Sequence, residues 1–105
     1  MEKNKIVIID YDDTYTLEPE LFDRFIYQLK SRGYKIVCAT MRYDIPDEAD
    51  EVKQLCPAVF DSVIFTGRQA KIDFINRMNL KPCLYIDDSP QSLFLNAQQS
   101  FGKET

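Results

Sequence analysis

Four short apolar runs, Ile6 to Ile9, Lys35 to Ala39, Ser62 to Phe65 and Cys83 to Ile86, recur along the chain without strict alternation of apolar and polar residues. A strand covered on one face alternates, whereas a strand in a sheet covered on both faces is apolar almost throughout. The runs therefore predict a sheet with a layer packed on each side.

The intervening segments have the spacing of helices. Pro19 suits a first turn, Leu21, Phe22, Phe25, Ile26 and Leu29 follow on one face, and Gly33 marks an end. A second helix is expected from Asp47 to Cys56, with Ala49, Val52 and Leu55 inward, acidic residues in its first turn and Pro57 as its stop. A third, near Gln69 to Met78, aligns Ile72, Ile75 and Met78. The fourth opens at Ser89-Pro90, an N-cap followed by a first-turn proline, and carries Leu93, Phe94 and Ala97.

The order β-α-β-α-β-α-β-α predicts an α/β fold: a three-layer, Rossmann-like arrangement of about four parallel strands joined by right-handed crossovers. A length of 105 residues at 45% hydrophobic content suits one domain over residues 1–105. Disorder is expected only at the two ends, in the first few residues and the final Gly-Lys-Glu-Thr.

Composition narrows the chemistry. With no histidine, the chain is excluded from Ser-His-Asp hydrolysis, histidine phosphatases and His-rich dinuclear phosphoesterases. Three glycines, at 33, 67 and 102, assemble neither a GxGxxG loop nor a Walker P-loop. Cys38, Cys56 and Cys83 are too widely spaced for a zinc site and odd in number, so each is expected to be a small buried thiol in a reducing cytoplasm. None has the arginine that a cysteine-phosphatase loop requires. The apolar runs fall far short of the roughly 20 residues that cross a bilayer, and the start of the chain lacks the apolar core of a signal peptide. A net charge of -4 disfavours coating nucleic acid by charge alone, though not binding a nucleic-acid end in a local pocket.

Sites in parallel sheets form beyond the carboxyl ends of the strands. Those ends carry Asp10-Tyr11-Asp12-Asp13-Thr14, then Thr40-Met41-Arg42, then Thr66-Gly67-Arg68 leading to Lys71, and last Asp87-Asp88-Ser89. Five carboxylates at one edge repel one another unless something neutralises them. A divalent cation does so, and all-oxygen ligands without histidine suit Mg²⁺ better than zinc. Thr40, Arg42 and Lys71 beside that ion would make a site for a phosphate dianion.

The stretch from Ile6 to Thr14 resembles the DxDxT signature of the haloacid dehalogenase (HAD) superfamily, in a DxDDT form. Thr40 resembles the second motif of that superfamily, Lys71 the third, and the strand ending in Asp87-Asp88 the fourth, so the likeness spans residues 6 to about 97. Thr40-Met41-Arg42 and Ile86-Asp87-Asp88-Ser89-Pro90 are also similar to motifs of its polynucleotide 3′-phosphatases.

The resemblance implies a HAD core and a phosphatase in which Asp10 attacks phosphorus and carries the phosphoryl group. It implies that Asp12 is the general acid and base, and that Mg²⁺ is held by Asp10, the Asp12 carbonyl, Asp87 and Asp88, the last directly or through water. Thr40 and Lys71 would hold the phosphoryl oxygens, with Arg68 as a local competitor for the lysine's role. Asp13 reads as a solvated or capping residue, Thr14 as a loop-fixing hydrogen bonder, and Tyr11 and Tyr15 as residues that pack or border the entrance rather than bind a base.

Only 29 residues separate Asp10 from Thr40 and 30 separate Thr40 from Lys71, which leaves no room for a cap domain. An open site is expected to act on a large substrate, such as a nucleic-acid end or a phosphoprotein, or to be covered by a second copy when the substrate is a small metabolite. Two other classes share this residue set: a catalytically silent binder of Mg²⁺ or phosphate, and a phospho-accepting receiver. Retention of both Asp10 and Asp12 disfavours the silent binder; an acceptor after the first strand, not the third, disfavours the receiver.

Overall fold

The structure, a computed structural model, describes residues 4–97, so the expectation of disordered ends falls largely outside the described residues. Four strands form one sheet: β1 (Ile6–Asp10), β2 (Lys35–Thr40), β3 (Ser62–Phe65) and β4 (Leu84–Ile86). They lie in the order β3-β2-β1-β4 and every pairing is parallel. The α/β class and the strand count follow the sequence-based expectation.

Alternate residues of each strand enter two separate cores. Val7, Ile9, Ile36 and Cys38 pack with Val63, Phe65 and Ile86 on one face, beneath Phe22, Ile26 and Leu29 of α1 (Pro19–Ser31) and Val52 of α2 (Pro46–Lys53). Ile8, Val37, Ala39 and Ile64 form the other face with Phe74 and Ile75 of α3 (Lys71–Arg77). The last helix, α4 (Gln91–Phe94), packs against α3. Both sheet faces are therefore covered, which is the physical reason that the strands lack polar alternation.

Several inward assignments need correction. Leu21 and Phe25 of α1 are 52% and 39% exposed, and Met78 is 49% exposed. Phe74 packs where Met78 was expected. The helices are also shorter: α2 ends at Lys53, before Pro57, and α4 holds four residues that start after Pro90 rather than at Ser89. At the end of α1 the Gly33 N–H donates to Lys30 and the Tyr34 N–H to Leu29, with Gly33 at φ 91°. That left-handed position closes the helix and favours glycine.

Of the three free thiols, Cys38 is fully buried in an interior strand, whereas Cys56 and Cys83 are half-buried, against expectation. Among the described residues no helix is long and apolar enough to cross a membrane.

The strand order places β1 beside β4. The chain leaves β1 toward α1 on one face and leaves β4 toward α4, which packs with α3 on the other. Divergence of two neighbouring connections opens a crevice between the strand ends.

Candidate functional site

That crevice is a cleft of about 380 Å³, lined by Asp10, Asp12, Asp13, Thr40, Met41, Lys71, Asp87, Asp88, Ser89 and Ser92. Of the residues expected to act in catalysis, phosphate binding or metal binding, all but Arg42 contribute to its wall.

Asp10 ends β1 and Asp87-Asp88 follow β4, so pairing of the two strands brings their carboxylates together. Oxygens of Asp10, Asp87 and Asp88 lie within 4.8 Å of one another. Lys71 opens α3 and sends its ammonium into this group, with Nζ 2.6 Å from Asp10 Oδ1 and 2.6 Å from Asp87 Oδ2. The lysine is 1% exposed, so its hydrocarbon stem is packed and its charge is delivered to one place.

Hydroxyl groups fix the acids. Thr14 Oγ1 accepts from the Asp88 N–H at 3.0 Å and lies 2.9 Å from Asp10 Oδ2 and 3.2 Å from Asp88 Oδ1. Ser92 Oγ lies 3.0 Å from Asp87 Oδ2, and the Ser89 N–H donates to Asp87 Oδ1 at 3.0 Å. Ser92 was missed in the sequence; the available signal was a hydroxyl three residues after Ser89, one turn along the helix start. Thr40 is buried at the tip of β2, and its hydroxyl oxygen accepts from the Arg42 N–H at 3.2 Å, which leaves the O–H able to donate into the cleft.

Burial pushes the Asp10 carboxyl up to about 7, against the opposing pull of Lys71, while the nearby Asp87 charge adds to the rise. A buried carboxylate that one lysine only partly neutralises still favours additional positive charge.

Arg42 turns away from the cleft lining. Its Nε and Nη2 donate to the two oxygens of Asp12 at 3.0 and 2.7 Å, and Nη1 donates to the Glu48 carbonyl at 2.7 Å. The guanidinium lies 5.0 Å over the Tyr11 ring, whose hydroxyl donates to Glu51 at 2.8 Å. Tyr11 and Tyr15 are buried and stacked 6.1 Å apart, in the packing role expected of them. Arg68, the competitor for Lys71, donates to the Met41 carbonyl at 2.8 Å and to Glu48 at 3.2 Å, and lies 4.9 Å over Tyr43. Lys71, not Arg68, reaches the acids.

No protein-family model matches the chain, and no curated protein or solved structure matches it either. The chemical reading therefore rests on the site. Three carboxylates this close could hold a metal ion, and carboxylate oxygens are hard donors that select a hard cation. Asp12 contributes no carboxylate to that group.

Proposed function

We propose that the chain is a magnesium-dependent phosphomonoester phosphatase with a HAD core, acting through an aspartyl-phosphate on Asp10. The observation that carries this reading is the Lys71 ammonium set between Asp10 and Asp87, with Asp88 beside them and Thr40 across the same open cleft. A nucleophilic carboxylate, a cluster of acids and a buried cation at one sheet edge are what in-line phosphoryl transfer needs. The four motifs that resemble the HAD superfamily fall on these same residues.

Asp10, Asp87 and Asp88 would hold Mg²⁺, with the Asp12 carbonyl as a further ligand. Bound there, the ion would offset the charge of the phosphate and of the acids around it. Asp10 attacks phosphorus and takes the phosphoryl group as the ester oxygen departs. Asp12 protonates that oxygen and then takes a proton from the water that cleaves the acyl phosphate, which regenerates the Asp10 carboxylate and releases phosphate. Lys71 and the Thr40 hydroxyl hold the non-bridging oxygens, and the lysine offsets negative charge in the transition state. Lys71 also keeps Asp10 ionised in part, against the effect of burial.

The cleft has no covering segment in the roughly thirty-residue connections between motifs, each of which is used by a strand and a helix. The proposed substrate is therefore large, a nucleic-acid end or a phosphoprotein, whose own bulk excludes water.

The test is phosphate release from an aryl phosphate, a 3′-phosphorylated oligonucleotide and a phosphopeptide. Mg²⁺-dependent turnover is expected, abolished by EDTA, by Asp10→Asn and by Asp12→Asn. Full activity in Asp10→Asn would falsify the assigned nucleophile.

A further inference from the structure

Arg42 is the one cationic residue of the sequence-derived phosphate site that the fold commits elsewhere. Each of its three guanidinium nitrogens is engaged, two by Asp12 and one by the Glu48 carbonyl. Its plane rests over Tyr11, and Glu51, which holds the Tyr11 hydroxyl, lies 3.6 Å from Nη2. The arginine is thus anchored from α2 and from the loop after β1 at once.

Asp12 is differently placed. Its side chain is 50% exposed on the loop after β1, where an unanchored carboxylate would exchange among rotamers. Two parallel hydrogen bonds from a planar guanidinium fix both the direction and the plane of a carboxylate, which one ammonium does not do. Proton transfer requires a donor held within hydrogen-bond reach of the leaving oxygen, so the orientation of this side chain bears directly on the rate.

We propose that Arg42 is a positioning residue for Asp12, holding its carboxyl at the wall of the cleft for its work as acid and base rather than binding the substrate phosphate. The proposal rests on the phosphatase reading above. It separates two roles for one residue by what each does to different esters. A phosphate-binding arginine serves every phosphomonoester alike. A residue that aims the general acid matters most when the leaving oxygen is strongly basic and least when it departs as a stable anion.

The experiment compares kcat/KM for 4-nitrophenyl phosphate and for glycerol 2-phosphate in wild type, Arg42→Ala and Arg42→Lys, with Mg²⁺ saturating. The expected result is that Arg42→Ala raises the aryl-to-alkyl ratio of kcat/KM by at least about thirty-fold, a part of the roughly 10²–10⁴-fold that a general acid contributes. Arg42→Lys should move the ratio the same way, since a single ammonium cannot hold both carboxylate oxygens.

An equal loss on both esters would assign Arg42 to phosphate binding and overturn the proposal, as would an unchanged ratio. Should Arg42→Ala lose its circular dichroism, Arg42→Lys decides alone, since it keeps the charge and most of the stem. If wild-type protein hydrolyses neither ester nor any phosphorylated macromolecule, the phosphatase reading itself fails and the positioning role falls with it.

Discussion

Thr14 and Asp88, 74 residues apart in the chain, meet at a single oxygen: the Asp88 N–H donates to Thr14 Oγ1 at 3.0 Å. The same hydroxyl reaches Asp10 Oδ2 at 2.9 Å, so one side chain ties the tip of β1 to the tip of β4. Replacing it by an isosteric methyl leaves a backbone donor and a carboxylate without that partner. Thr14→Val is expected to lower unfolding free energy by about 1–3 kcal/mol. It should also weaken Mg²⁺ binding by about ten-fold, the usual effect of losing a group that orients metal ligands. Denaturant melts and a calorimetric Mg²⁺ titration measure the two; wild-type affinity in the variant would show that the acids are held without the threonine.

Lys71 is buried with both its carboxylate partners, whose side chains are 9% and 3% exposed. Removing one member of such a group strands charge in a poorly solvated place. Lys71→Met is expected to cost about 3–5 kcal/mol in metal-free protein. Saturating Mg²⁺ should restore part of that loss, and turnover should fall below detection. A metal-free melt that matches wild type would mean that the acids escape to solvent when the lysine is gone.

The pH dependence of stability follows from Asp10. Its carboxyl is raised by burial from 3.8 to about 7, so the folded state holds a proton that the unfolded chain releases. The stabilisation from this group is complete below about pH 4 and is lost as pH rises to about 7. Metal-free protein should therefore lose stability across that window, and Asp10→Asn, which mimics the protonated carboxyl, should flatten the slope. Thermal melts at pH 4 to 8 with and without the substitution test this. An identical slope in both proteins would place the titration on another group.

Gly67 lies at φ 59°, and a Cβ there would sit 3.0 Å from two ring carbons of Tyr43. Gly67→Ala combines a left-handed backbone with a steric contact, and is expected to destabilise by about 1–2 kcal/mol. In a Tyr43→Ala background the contact disappears and only the backbone part should remain. Equal losses in both backgrounds would show that the ring moves aside freely.

The strands were legible because burial on both faces leaves an unbroken apolar run, a pattern that survives without any knowledge of partners. Helical faces were less so. In α1 the apolar residues spread from Leu21 to Phe25 to Ile26, wider than the strip that a sheet can cover, and periodicity alone does not say which flank faces solvent. Lys71 was readable from its position after the third strand, since a helix start there points at the sheet edge. Arg42 was not, because a long side chain two residues past a strand tip reaches either the cleft or Asp12. Its choice depends on Glu48 and Tyr11, which come from elsewhere in the chain. Ser92 shows the same limit from the other side: its contact with Asp87 exists only because α4 begins after Pro90.

Cys38 sits at the middle of the sheet, paired through its backbone with Ile9 on one side and Val63 on the other. Burial raises its thiol far above the ordinary range, so the reactive thiolate form is suppressed while the sheet is closed. Alkylating reagents should label Cys56 and Cys83 first and reach Cys38 only when the interior strands separate. The molecule thus carries its own clock for breathing of the central sheet, one that ticks without any probe being introduced.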